Sequence, residues 1–64
     1  MDSDRSELSA LAGSLDDITA RITAVADRYR GTARADVSDS LYEVERTLNT
    51  ASRQLTRAVR GMRS

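Results

Sequence analysis

Acidic side chains occur close together at two places in this chain of 64 residues. Asp16 is followed directly by Asp17, and Glu43 is separated from Glu45 by one residue. Two carboxyl groups perform acid–base catalysis only when they converge on one cleft. Side chains one or two positions apart on a helix diverge by about 100° or more, so the members of each pair point in different directions. Asp17 is better placed to form an ion pair with Arg21, four residues further along the same helix.

The residue types missing from the chain exclude most other site chemistry. Without Cys there is neither a disulfide framework nor a thiolate zinc site. Without His the chain lacks the commonest metal ligand and general base. Gly13 and Gly31 are isolated and do not form a phosphate-binding loop. We therefore expect a protein that is not an enzyme, with no catalytic residue, no cofactor, no metal site and no small-molecule substrate.

The charges of the chain balance, because ten basic residues, all of them Arg, face ten Asp+Glu residues. A neutral chain lacks the bulk basic charge of most nucleic-acid-binding domains, so nucleic acid is not the expected partner. Arg46, Arg53 and Arg60 nevertheless recur every seven residues, with Arg57 beside them. This arginine stripe could contact phosphates or an acidic partner. The alternative is a solvated helix face in which Arg occurs in place of Lys because the genome is GC-rich.

Apolar residues recur at alternating spacings of three and four in both halves of the chain, which is the heptad pattern of packed helices. In the heptad abcdefg, the first half places Leu8, Leu15, Ile22 and Tyr29 at a, and Leu11, Ile18 and Val25 at d. The second half places Leu41, Leu48, Leu55 and Met62 at a, and Val37, Val44, Ala51 and Ala58 at d. The pattern predicts an all-α fold with a single domain over 1–64: helix 1 over about 4–30, a turn over about 31–35 and helix 2 over about 36–61.

The two heptad patterns are out of phase, which indicates a break between two helices rather than one continuous helix. Gly31 suits the left-handed residue just past a helix end. Thr32 or Asp36 is the expected cap of the second helix. Asp4 with Glu7 resembles a capping box at the start of the first helix.

The way in which the two patterns match predicts an antiparallel coiled-coil hairpin. When the chain is folded about Ala33, each facing pair combines an a position with a d position, as for Ile18 with Leu48. Antiparallel helices require such pairing. We therefore expect a and d side chains to fill the seam between the helices, with Tyr29 in the core at the turn end.

The residues beside this seam differ in charge on its two sides. The e and b positions are small and mostly uncharged, whereas the c, g and f positions carry most of the charges. A chain this small, without disulfides or a metal, usually needs association for stability, and small residues allow a second helix pair to approach closely. We predict that two hairpins dimerise into a four-helix bundle through an interface of Leu8, Leu11, Ala12, Leu15, Ile18, Thr19, Ile22, Leu41, Tyr42, Leu48, Ser52, Leu55 and Val59.

Two alternatives to this interface remain open. In the first alternative, the small flank binds no second hairpin and is a Ser-, Thr- and Ala-rich surface in contact with water. Tyr42, at a b position, is either an amphipathic interface anchor or simply exposed.

Two segments resemble the short Ala- and Arg-rich helical proteins of actinobacteria: Leu8-x-x-Leu11-Ala12-x-x-Leu15-Asp16 and Ala26-Asp27-x-Tyr29-x-Gly31. Some of those proteins belong to the Trp-x-Gly family exported by type VII secretion. The resemblance implies an antiparallel helical hairpin that dimerises into a four-helix bundle, with the segment from Tyr29 to Gly31 at the turn. The chain departs from the family in having no Trp and no Tyr-x-x-x-Asp/Glu export signal.

These observations predict a non-enzymatic protein–protein interaction module. We expect a helical hairpin that self-associates, as a dimer first, or docks on a helical partner through its leucine seam. The alternatives are a type VII secretion-like partner protein and a small nucleic-acid- or nucleotide-binding regulator that uses the arginine stripe. No apolar run approaches the roughly 18 residues of a membrane span. We expect a cytoplasmic location, with export by a leaderless route as the alternative.

Overall fold

A computed structural model describes residues 2–62, which form two helices and no strand. Helix α1 spans Asp2–Tyr29 and helix α2 spans Ala35–Gly61. Side-chain hydrogen bonds join Asp16 to Ser52 and Thr23 to Glu45, so the helices run in opposite directions beside each other. The predicted all-α hairpin is confirmed. In the described part of the chain, neither helix contains an apolar stretch long enough to cross a membrane.

The turn between the helices depends on Gly31, which has a φ of +76°. This left-handed conformation favours glycine because it has no Cβ, and it confirms the predicted role of Gly31 as the residue that follows the first helix. The Thr32 N–H donates to the Tyr29 carbonyl at 3.2 Å, and the Thr32 hydroxyl donates to the same carbonyl at 2.6 Å. Both bonds satisfy a carbonyl that the end of α1 leaves without a helical partner.

The predicted helix caps are wrong in detail. Arg34 occupies the N-cap position of α2 and makes no side-chain capping bond. Thr32 precedes the cap and accepts the Arg34 N–H at 3.1 Å, while Asp36 lies inside the first turn. A carboxylate there still interacts favourably with the helix dipole. Helix α1 already includes Asp4 and Glu7, so these two residues do not form a capping box at its start.

The seam between the helices is lined by smaller residues than the heptad pattern predicts. The least exposed side chains are Thr19 at 6%, Ala26 at 0% and Ser38 at 2%, all of which occupy e positions. The d residues Leu11 and Ile18 are instead 50% and 48% exposed. The prediction that a residues face d residues across the seam is therefore wrong. Positions a and e face the other helix, which corresponds to a rotation of each helix by about 50°.

The small e residues explain this rotation. Ala and Ser side chains allow two helix backbones to approach closely, whereas Leu and Ile at d would hold them apart. The buried hydroxyls do not oppose the arrangement, because each forms a hydrogen bond inside its own helix. Thr19 donates to the Leu15 carbonyl at 2.8 Å, and Ser38 donates to the Ala35 carbonyl at 3.0 Å. A buried polar group with a hydrogen bond avoids most of its desolvation penalty.

The hairpin forms a single layer. Its Cα atoms extend over 51 × 14 × 9 Å, and within residues 2–62 Ala26 is the one hydrophobic side chain that is buried. Stable domains are usually built from two or more packed layers around a shared core. The hairpin therefore has one seam but lacks the second layer that would cover its larger apolar side chains.

The size limit at the seam is tested by Ala26→Leu. A larger side chain at this fully buried position should lower the free energy of unfolding by about 1–3 kcal/mol, because the backbones must move apart. Ala24→Leu makes the same change at an exposed position of α1 and should alter the free energy of unfolding by less than about 0.5 kcal/mol. Urea unfolding at one protein concentration measures both, and equal effects would contradict the close seam.

Candidate protein–protein interface

One side of the layer, which we call the front face, carries the apolar d side chains of both helices. Its members in α1 are Leu11, Ile18 and Val25, and its members in α2 are Val37, Val44, Ala51 and Ala58. Helical geometry places all of them on one side, because d follows a at the same edge of the seam in both helices. Leu11, Ile18, Val44 and Ala58 are the exposed members of this set. The front face is an apolar strip along the whole hairpin.

A shallow apolar groove crosses the front face. It has a volume of about 300 Å³, and Ile18, Ile22, Val25 and Leu41 line it. Arg21 lies at its rim, where its Nε is 3.9 Å from a carboxylate oxygen of Asp17. The predicted pairing of these two charges is confirmed. The groove is wide enough to receive an apolar side chain from another protein, with charge at its edge and none on its floor.

The opposite side of the layer, which we call the back face, is held by three hydrogen bonds between the helices. Thr23 donates to Glu45 at 2.5 Å and Ser52 donates to Asp16 at 2.7 Å. The Tyr42 hydroxyl donates to Asp27. Each bond joins a hydroxyl to a carboxylate, and bonds to a charged acceptor are stronger than neutral ones. Three carboxylates of the back face are thus bonded to hydroxyls within the hairpin.

Each carboxylate of the two acidic pairs has a partner of its own. Asp16 accepts from Ser52, whereas Asp17 lies beside Arg21. Glu45 accepts from Thr23. Among residues 2–62, no three acidic side chains come together in a group that could hold a metal ion. The paired carboxylates point in different directions, as the helical spacing predicts.

The predicted interface residues divide between the two faces and the seam. The a residues are half-buried along the edge between the seam and the front face: Leu8, Leu15, Ile22, Leu41, Leu48 and Leu55. Leu11 and Ile18 lie on the front face. Ala12, Thr19, Ser52 and Val59 occupy e positions and face the hairpin's own other helix.

The structure gives no support at two of these positions to the predicted approach of a second hairpin through the small e and b flank, which otherwise stays a prediction. Thr19 is buried inside the hairpin, and Ser52 is hydrogen-bonded to Asp16. Small residues do permit close approach, but the helix they admit belongs to the same chain. The apolar surface left over is the row of d residues, of which the predicted interface contains Leu11 and Ile18 but not the other five. The heptad assignment already contained the signal that would have identified them.

The two tyrosines lie in different environments. Tyr29 is 39% exposed, so its predicted core position is wrong. The helix rotation turns this last a residue away from the seam at the open turn. Tyr42 is partly buried on the back face and bound to Asp27. This hydrogen bond, together with desolvation, raises the pKa of Tyr42 above its ordinary value of 10.0.

The arginine stripe is exposed along α2. Arg46 is paired with Glu43 at 3.4 Å. Arg53, Arg57 and Arg60 line a second shallow groove of about 300 Å³ whose other walls are Ser52 and Thr56. Within the described residues none of these three forms an ion pair. The groove is polar and open to water, as a solvated helix face would be.

Comparisons with family models, with curated proteins and with solved structures found no match for the chain.

The hydrogen bond between Tyr42 and Asp27 is tested by the pH dependence of stability. Because the folded-state pKa of Tyr42 is raised, its contribution is fully present below pH about 10 and is lost as the pH rises through that pKa. We expect the wild type to lose thermal stability above pH 10 more steeply than Tyr42→Phe. The chain contains no Lys or Cys, and Tyr29 is common to both proteins. Melting curves between pH 7 and pH 11 that decline in parallel would contradict the contact.

Proposed function

We propose that this chain is a non-enzymatic assembly module whose front face binds a second helical layer and so completes a four-helix bundle. The observation that carries the proposal is the exposure of large apolar side chains in one row, with Leu11 and Ile18 each about half exposed. Single exposed apolar residues are common on protein surfaces, but a continuous apolar strip is typical of an interaction site.

The energetic incentive for such binding is considerable. Full burial of a Leu, Ile or Val side chain stabilises a structure by about 1.5–3 kcal/mol relative to full exposure. Completing the burial of a half-exposed side chain contributes about half of that amount, and the front face carries several of them. A hairpin without a second layer gives up this contribution, which is large beside the marginal stability of a small domain.

The partner surface is expected to be helical because of the shape of the front face. The strip is straight, runs parallel to two helices and repeats every seven residues, so it matches the ridges of another helix or helix pair. A four-helix bundle satisfies this match with short connections and adjacent antiparallel helices. The proposal retains the leucines predicted from the heptads and replaces the small flank with the d residues.

The face is tested by placing a charge on it. Ile18→Asp introduces a carboxylate in the middle of the front face, where burial would require its desolvation, and should abolish assembly. Ala20→Asp makes a comparable change at an exposed f position on the other side of α1 and should leave assembly intact. The tagged wild type and both variants are isolated from the native host, and the proteins bound to each are quantified by mass spectrometry.

The expected result is a stoichiometric partner, which is either further copies of the chain or one other protein, retained by the wild type and Ala20→Asp but lost by Ile18→Asp. Circular dichroism of the purified variants establishes whether Ile18→Asp retains helix at the concentration used. A wild-type bait that binds nothing, or a partner that is retained equally by all three baits, would refute the proposal.

A further inference from the structure

We infer that the layer received by the front face is a second copy of this chain, related by a two-fold axis perpendicular to the helices, so that α1 lies antiparallel on α1 and α2 antiparallel on α2. This inference rests on the proposed function and specifies its partner and geometry. It depends on the area of the face, on the order of residue sizes along it and on the charges at its rim.

The area of the front face suits a homodimer. A layer of 51 × 14 Å presents a footprint of about 700 Å² on each copy, close to the about 800 Å² per partner of a standard stable interface. A second copy has the same length and would cover the strip from end to end. It would also expose none of its own front face, whereas a shorter partner would leave part of the strip in water.

The order of residues on α1 is compatible with this axis. An axis beside Ile18 brings Ile18 against its own counterpart and Leu11 against Val25 of the second copy, because positions seven residues on either side exchange places. All three are apolar d residues of similar size, so the two α1 helices would lie at a uniform distance.

The order on α2 requires the axis at the same height. An axis beside Ala51 brings Ala51 against its own counterpart and pairs Val44 with Ala58 of the second copy, a larger residue with a smaller one, which favours interdigitation. The hydrogen bond between Asp16 and Ser52 places Ala51 within about 2 Å of the height of Ile18 at 1.5 Å per residue. One axis can therefore serve both helix pairs.

The rim charges distinguish this arrangement from the other face-to-face dimer, in which α1 lies on α2. The g positions border the front face. In α1 they run from Glu7 through Arg21 to Arg28, acidic at one end and basic at the other, whereas in α2 they are all uncharged: Ser40, Thr47, Gln54 and Gly61. Antiparallel pairing of α1 with α1 brings Glu7 of each copy beside Arg28 of the other, so the dimer contains two such pairs. Pairing of α1 with α2 leaves both charges beside neutral residues.

These ion pairs act on orientation more than on affinity. Exposed pairs contribute little to stability, but charges at the edges of a helical interface determine which helices pair and in which direction. Within the described residues, neither Glu7 nor Arg28 forms an ion pair in its own chain. Both remain available to a second copy.

Disulfide trapping tests the arrangement, and the absence of natural Cys makes it unambiguous. Facing Cα atoms of packed helices whose axes are about 8–10 Å apart lie within about 4–6 Å, which a disulfide can span. Under mild oxidation Ile18→Cys should form a covalent dimer with itself. Leu11→Cys and Val25→Cys should each crosslink poorly alone and at least about tenfold more when mixed. Ala20→Cys, on the other side of α1, is the matched control and should not crosslink.

Sedimentation equilibrium of the reduced wild type and variants, with circular dichroism, accompanies the trapping. The inference is supported by a dimer mass together with the crosslinking pattern above. It is overturned by a dimer in which Ile18→Cys crosslinks to Ala51→Cys instead of to itself, a result that leaves the proposed function intact. It is also overturned by a folded monomer at micromolar concentration. In that case the partner isolated with the wild type but not with Ile18→Asp decides whether the proposed function survives.

Discussion

Two helices in one layer can bury only the surface between them, and the distance between their axes determines which side chains fit there. In this hairpin, Ala26 and Ser38 are buried in the seam, and side chains of this size permit a short distance. Leu11 and Ile18 would hold the helices further apart in the seam, and they lie instead about half exposed at the side of the layer. The rotation that buries small residues is thus the same event that creates the apolar front face.

The polar groups follow from this rotation as well. Once a and e positions meet at the seam, the b positions come to the back face, where a hydroxyl from one helix reaches a carboxylate from the other. Two such hydrogen bonds form, from Ser52 to Asp16 and from Thr23 to Glu45. The back face is therefore more stable when exposed to water, because covering it would desolvate charged carboxylates. The layer is consequently asymmetric, with paired charge on one side and unpaired apolar surface on the other.

This asymmetry relates the small size of the chain to its proposed role. Both helices of residues 2–62 belong to the first layer, so a second layer must come from outside these residues. A second copy would cover one front face with another and leave both back faces in water. The zero net charge is compatible with that arrangement, because it adds no overall repulsion between identical chains.

Much of the architecture could be read from the residues in order. The alternating spacings of three and four determined two helices, and Gly31 determined where they part, because a left-handed residue ends a helix regardless of what packs against it. The ion pair of Asp17 with Arg21 also follows from local spacing. The helix caps were less predictable. Arg34 occupies the N-cap of α2 without a side-chain capping bond, and hydrogen bonds within the turn, such as that from the Arg34 N–H to Thr32, hold the start of the helix instead.

The candidate interface depended on a choice that local sequence leaves open. The heptads identified a, d and e as neighbours on each helix, but whether d or e joins a in the seam depends on the distance between two helices far apart in the sequence. Packing selected the small e residues because Thr19 and Ser38 can satisfy their hydroxyls within their own helices. The sequence by itself therefore determined the apolar stripes and the turn, and the tertiary structure decided which stripe was buried and which remained exposed.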